Sequence, residues 1–271
     1  MIIRSNRELK SQYDQLQSGD VFVGSLSSKH LKQTMLVDLL ERGVICLPSA
    51  LSQILNSSKI AQTFTLNRWM LPHTAVINRR KELMDAISSY GKQNIGPVIT
   101  KQDHMHCGHG VRRWETLEIL YNYLAFSESS YPFVLQPYVE NFTDLRVIII
   151  GNYVESYVRQ NPYNFRSNIA AGGSSRPYAL GTDGKHICHE IMTRGKFPYA
   201  HIDLLVMDRG EYYLSEIALN GGTRGAKITR QEIDQKKWEV LEDLISSPRS
   251  DTDSHGLKIE KASYFDNSKL P

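Results

Sequence analysis

Two apolar runs in this chain are each broken by a single carboxylate: His201-Ile-Asp203-Leu-Leu-Val-Met207 and Tyr212-Tyr-Leu-Ser-Glu216-Ile-Ala-Leu219. Between them stands Asp208-Arg209-Gly210, so Ile202 to Met207 and Glu211 to Leu219 read as a β-hairpin. Asp203 and Glu216 lie five and six residues outside that turn, an offset that a bulged three-residue loop absorbs, and both carboxylates then share a face. A carboxylate among apolar strand neighbours must be ion-paired, hydrogen-bonded or bound to a cation. Two of them together repel unless a cation lies between, and hard oxygen ligands suit magnesium. The competing reading is that each pairs with an Arg or Lys for structural reasons.

Around that hairpin the pattern divides into four segments. Residues 1–50 hold one short βαβ unit: Val21 to Gly24, a helical stripe at Leu31, Met35, Leu36, Leu39 and Leu40 closed by Gly43, and Val44 to Leu47 stopped by Pro48. Residues 51–130 read as a small α+β lobe. It opens with a helix from Gln53 to Leu71, its apolar points at Ile54, Leu55, Phe64 and Leu66. A strand at Thr74 to Ile77, a helix at Arg80 to Tyr90 with Leu83, Met84 and Ile87 inward, and a strand at Pro97 to Lys101 follow. The polar loop Gln102 to Gly110 leads to a helix marked by Trp114, Leu117, Leu120, Tyr121 and Leu124. Residues 131–247 form a strand-rich lobe: Phe133 to Gln136, a hairpin of Leu145 to Gly151 with Tyr153 to Gln160, the carboxylate hairpin, and a helix facing inward at Ile233, Trp238, Leu241 and Ile245. Residues 248–271 are a polar tail with Tyr264 and Phe265 as re-anchoring points.

Bulk properties exclude several classes. The net charge of +3 is small and the basic residues are dispersed, which argues against a nucleic-acid partner. Cys46, Cys107 and Cys188 are far apart with no CxxC spacing, so neither a disulfide framework nor a zinc site is expected, and a reducing, cytoplasmic setting fits. The start carries charges where a signal peptide needs an apolar stretch. No apolar run approaches the roughly 18 residues of a spanning helix.

Two further constellations carry possible chemistry. Phe165-Arg166-Ser-Asn168 followed by Gly172-Gly173 offers a guanidinium fork and an amide beside backbone that a ligand can approach closely; a plain surface turn has the same letters. Lys101 ends a strand before Cys107-Gly108-His109-Gly110, a point charge next to a glycine loop, as suits a polyphosphate; a solvated strand end is the alternative. The histidines at 104, 106 and 109 are irregularly spaced with only Asp103 as an acidic neighbour, a poor transition-metal site.

Taken in order, these pieces resemble the ATP-grasp superfamily, most closely its RimK-like branch of amino-acid and peptide ligases. The resemblance runs from about Pro48 to Gly225 and rests on V-L-Q-P-Y-V-E-N-F-T-D-L-R-V-I-I-I-G (134–151), V-R-Q-N-P-Y-N-F-R-S-N-I-A-A-G-G (158–173) and H-I-D-L-L-V-M with Y-L-S-E-I-A-L-N-G-G (201–222). It implies two α+β lobes clasping ATP behind a short N-terminal βαβ domain. Lys59 and Lys101, with the loop glycines Gly108 and Gly110, would then reach the phosphates. Gln136, Tyr138 and Val139 would form the hinge that reads adenine, and Asp144 would lie near the nucleoside. Arg146, Arg159, Arg166 and Asn168 would face the transferring phosphoryl group, and Asp203, Glu216 and Asn220 would hold magnesium. The implied reaction joins a small-molecule or peptide carboxylate to an amine through an acyl-phosphate, with ATP and Mg2+ as cofactors.

The sequence departs from the family pattern in three places. Ala218 stands where an Asn two residues after the metal-binding Glu is usual, and Asn220 shares its face only if the strand continues. Pro137 replaces a common acidic residue in the hinge and removes a backbone donor. The N-terminal domain is short, so the substrate pocket is either open or completed by a partner subunit of a homo-oligomer. The rival to a ligase is a module that binds ATP without turning it over. A protein kinase is excluded by motif order and the absence of an H-R-D-like loop.

Overall fold

The computed structural model describes residues 1–28, 30–105, 109–125, 131–162 and 172–246. Arg166, Asn168, Gly108, His106, Cys107 and the tail from 247 lie outside the described residues.

The N-terminal segment is β1 (Ile2–Ile3), α1 (Asn6–Gln12), β2 (Val21–Val23), α2 (Lys32–Glu41) and β3 (Ile45–Leu47), with the strands parallel in the order β1-β2-β3. Two βαβ units are therefore present where the sequence suggested one. A two-residue strand is too short to show a periodicity, and Ser5 starts α1 by accepting from the Glu8 amide. Ile3, Leu9, Phe22, Leu36, Leu39 and Cys46 form a separate small core.

The helix expected from Gln53 to Leu71 is two helices, α3 (Ala50–Leu55) and α4 (Lys59–Leu66), broken at Asn56-Ser57-Ser58, where Ser58 caps α4 by accepting from the Ala61 amide. Phe64 does not face inward: it is 87% exposed. The buried contact of α4 is made by Gln62, which bonds both backbone groups of Ile217, at 2.8 Å to the carbonyl and 3.0 Å from the amide.

The small sheet is antiparallel in the order β4-β7-β5-β6, from β4 (Ala75–Ile77), β5 (Val98–Gln102), β6 (Val111–Trp114) and β7 (Phe133–Pro137). Helices α5 (Arg80–Lys92) and α6 (Leu117–Leu124) cover it over Leu83, Tyr90, Leu120, Phe133 and Leu135. Met84 is exposed, and Trp114 ends β6 rather than starting α6, which Thr116 caps. Although Phe133 to Gln136 read as the start of the larger lobe, the strand pairs between β4 and β5.

The large sheet has the order β10-β9-β8-β11-β12: β8 (Phe142–Ile150), β9 (Tyr153–Gln160), β10 (Ser174–Pro177), β11 (Tyr199–Met207) and β12 (Tyr212–Ala218). All four neighbouring pairs are antiparallel. Helix α7 (Thr182–Gly195), which the sequence reading did not identify, adds Cys188, Ile191 and Met192 to the main core, and α8 (Arg230–Ser246) adds Ile233 and Leu241. Trp238 of α8 is exposed, against expectation. No helix among the described residues is long and apolar enough to cross a membrane.

Candidate active site

Strand alternation puts directly opposed residues on one face, and the register of the large sheet builds a charged row there. Across β9, β8, β11 and β12 stand Tyr157, Arg146, Asp203 and Glu216, each opposite the next; Arg159 and Asp144 oppose each other one step along. The expected bulge falls between Asp203 and Leu204, so Asp203 and Glu216 are paired as the hairpin reading required.

The carboxylates are not turned to each other. Arg146 grips Asp203 with two parallel hydrogen bonds, Nε to Oδ1 at 2.7 Å and a terminal nitrogen to Oδ2 at 2.8 Å. Arg159 reaches Asp203 Oδ2 at 2.9 Å and Asp144 Oδ1 at 2.8 Å. Burial works against the Asp203 charge, but the two guanidiniums outweigh it and hold the carboxyl well below the usual range. Glu216 instead pairs with Lys59 Nζ at 3.2 Å.

The small lobe brings its cations to the same place. Lys101 on β5 lies 3.3 Å from the Ser215 carbonyl of β12. Burial pushes its ammonium down to about 8, with Glu216 pulling the other way. Lys59, the first residue of α4, also donates to the Met105 carbonyl at 2.6 Å. The loop after β5 is pinned to the start of α4: Asp103 accepts from Ser58 Oγ at 2.9 Å, and His104 Nδ1 lies 2.8 Å from the Ser57 carbonyl. Gly110 is required there, since a Cβ would come 2.8 Å from Met105 Cβ. His109 is exposed, and among the described residues no group of three His, Cys, Asp or Glu side chains converges as a metal site.

In the segment expected to form the hinge, β4 pairs with β7 only as far as Leu135, while β5 follows β7 to Pro137. Gln136 is buried, Tyr138 donates its amide to the Pro97 carbonyl at 2.8 Å, and the Arg113 guanidinium stacks 4.2 Å above the Tyr138 ring. Val139 follows in irregular backbone.

Asn220 does not join the carboxylates. Strand β12 ends at Ala218, and Asn220 Oδ1 accepts from Lys237 Nζ of α8 at 2.7 Å. The strand continuation on which Asn220's place among the ligands depended is therefore not observed. Lys237 also donates to the Leu219 carbonyl at 2.7 Å, Arg230 reaches the Gly221 carbonyl at 3.4 Å and Arg146 the Gly222 carbonyl at 3.0 Å, so three cations fix this loop.

Three residues that motif reading missed belong to the site: Tyr157, His201 and Lys237. Tyr157 and His201 each lie two positions before a residue that was singled out, Arg159 and Asp203, so strand alternation was the available signal. The His201 ring packs on Gly221, and burial, then Lys237 and Arg146, push its pKa down to about 3, leaving it neutral.

The charge balance fits a nucleotide with a divalent cation. Asp144, Asp203 and Glu216 face Arg146, Arg159, Lys59 and Lys101, three negative groups against four positive, a surplus suited to anionic phosphates. The oxygens of Asp203 and Glu216 are hard donors of the kind magnesium takes.

A family model for the RimK-like ATP-grasp domain matches residues 55–241. The chain is 28% identical over 205 residues to the coenzyme gamma-F420-2:alpha-L-glutamate ligase of Methanococcus maripaludis, covering 70% of this chain and 68% of the relative. It is 27% identical over 130 residues to N-acetylaspartylglutamate synthase A of Homo sapiens, covering 46% of this chain and 33% of that protein. In fold it is similar to the D-alanine–D-alanine ligase of Bacillus anthracis complexed with ATP, at TM-score 0.59 and 16% identity over 89% of this chain and 84% of that one. A RiPP-associated ATP-grasp ligase of Chryseobacterium gregarium aligns at TM-score 0.56 and 18% identity, over 84% and 77%.

Proposed function

The chain belongs to the RimK-like ATP-grasp family, and from that premise we propose that it joins a carboxylate to an amine through an acyl-phosphate, using ATP and magnesium. The observation that carries the reading is the lattice of Arg146, Arg159, Asp144 and Asp203 on the large sheet, met by Lys101 and Lys59 from the small lobe. Two such opposed sets of charge are what phosphoryl transfer between two anions needs.

In this reading Lys101 and Lys59 take phosphate oxygens from one side and Arg146 and Arg159 from the other, with Arg166 and Asn168 added from outside the described residues. Gln136, Tyr138 and Val139 hold the base; Asp144, fixed by Arg159, stands near the nucleoside. Asp203 and Glu216 would hold magnesium, which supplies neutralisation of phosphate charge. Closure of the glycine loop over the site would keep water from the acyl-phosphate. The carboxylate takes the γ-phosphoryl group and releases ADP, and an amine then displaces inorganic phosphate, losing a proton, to leave the amide. The relatives' names, a gamma-F420-2:alpha-L-glutamate ligase and an N-acetylaspartylglutamate synthase, support an amino acid or peptide as substrate.

The test is a hydroxamate assay. ATP, magnesium, hydroxylamine and a pool of amino acids and small carboxylic acids should give a hydroxamate with stoichiometric ADP, suppressed in Lys101→Ala. The second reading, an ATP-binding module without turnover, is favoured by one observation: Ala218 ends β12 and Lys237 takes Asn220, which leaves two carboxylates for the cation. Tight ADP binding with no hydroxamate across the pool would select it.

A further inference from the structure

Buried polar groups are nearly always hydrogen-bonded, so those that are not point to something absent. Among the described residues the buried side-chain atoms without a partner are Tyr157 Oη, His201 Nδ1 and His201 Nε2. Tyr157 is 1% and His201 2% exposed. They do not scatter. Tyr157 stands directly opposite Arg146 on β9, and His201 lies on the same face of β11, two residues before Asp203 and against Gly221, whose neighbour Gly222 accepts from Arg146. The Arg146 charge reaches both groups, and Tyr157 Oη is already in its immediate reach.

That guanidinium has the weaker second acceptor of the two that hold Asp203. A cation at Asp203 would share a carboxylate whose two oxygens accept from Arg146 and Arg159. Arg159 keeps a second carboxylate, Asp144. Arg146 keeps the neutral Gly222 carbonyl. A buried guanidinium that shares its carboxylate with a cation gains from further acceptors, and a phenol oxygen and an imidazole nitrogen are of that kind.

We propose that Tyr157 and His201 are positioning residues that receive Arg146 when Asp203 turns to a divalent cation, so that Arg146 stays fixed toward the phosphates. This rests on the nucleotide reading of the site.

The experiment measures Mn2+·ADP binding, by calorimetry and by the electron paramagnetic resonance of free Mn2+, in the wild type and in Tyr157→Phe, His201→Leu and His201→Gln. Thermal unfolding of each free protein is measured alongside. Tyr157→Phe and His201→Leu should each weaken Mn2+·ADP by about tenfold, the value of a hydrogen bond to a charged group. Their unfolding temperatures without ligand should hold or rise, because each removes an unsatisfied buried group. His201→Gln, which keeps an acceptor, should bind more tightly than His201→Leu. Wild-type affinity in both Tyr157→Phe and His201→Leu would overturn the proposal. So would weakened binding that tracks a loss of stability in the free protein, since that is a packing role. Failure of the wild type itself to bind Mn2+·ADP would remove the nucleotide reading first, and this inference with it.

Discussion

Asp203 and Glu216 stand opposite each other across the β11–β12 hairpin, yet one is held by two guanidiniums of its own sheet and the other by Lys59 of α4. The two carboxylates therefore differ in what their loss costs.

Replacing Asp203 by Asn leaves two buried guanidiniums with less negative charge, and should lower stability by roughly 3 kcal/mol, as breaking a buried ion pair does. Glu216 is 38% exposed in its side chain, so its pair with Lys59 is screened, and Glu216→Gln should cost under about 1 kcal/mol. Both should abolish ADP formation. Denaturant unfolding of the two variants distinguishes them; equal losses of stability would contradict the arrangement.

Lys101 gives a pH signature. Its pKa is about 8 when folded against 10.5 when free, so between those values the unfolded chain binds more protons and stability rises with pH. Binding of ADP runs the other way, since the ammonium is lost as pH passes through about 8. Calorimetry from neutral to alkaline pH should show affinity falling in the wild type and a flatter profile in Lys101→Arg, which stays charged.

The loop after β12 makes two adjacent glycines unequal. A Cβ on Gly221 would come 2.6 Å from the His201 ring, whereas one on Gly222 meets nothing nearer than Arg146 at 3.8 Å. Gly221→Ala should destabilise by about 1–3 kcal/mol through overpacking, and Gly222→Ala should be close to neutral. Thermal unfolding of the pair checks this.

Asn220 accepts a hydrogen bond from Lys237 beyond the end of β12. Asn220→Ala should leave the magnesium concentration for half-maximal ADP formation unchanged while lowering stability by about 1 kcal/mol for the lost hydrogen bond. A large shift in magnesium dependence would restore Asn220 to the metal set.

The amino-acid sequence alone determined the hairpins, because strand alternation and turn residues are local signals: Asp203 opposite Glu216, and Gly151-Asn152 between β8 and β9, follow from spacing. It also carried the order of motifs by which the family is legible. What it did not carry was partnership. Which cation turns to which carboxylate depends on strands brought together from distant positions, and only the order β9-β8-β11-β12 sets Tyr157, Arg146, Asp203 and Glu216 in one row. The short elements went the same way: β1, two residues long, is a strand only because β2 lies beside it, and Phe133 to Pro137 belong to the small sheet because β4 and β5 flank them. Asn220 shows the limit most plainly, since its place in the sequence suits a ligand while Lys237, seventeen residues on, holds its side chain.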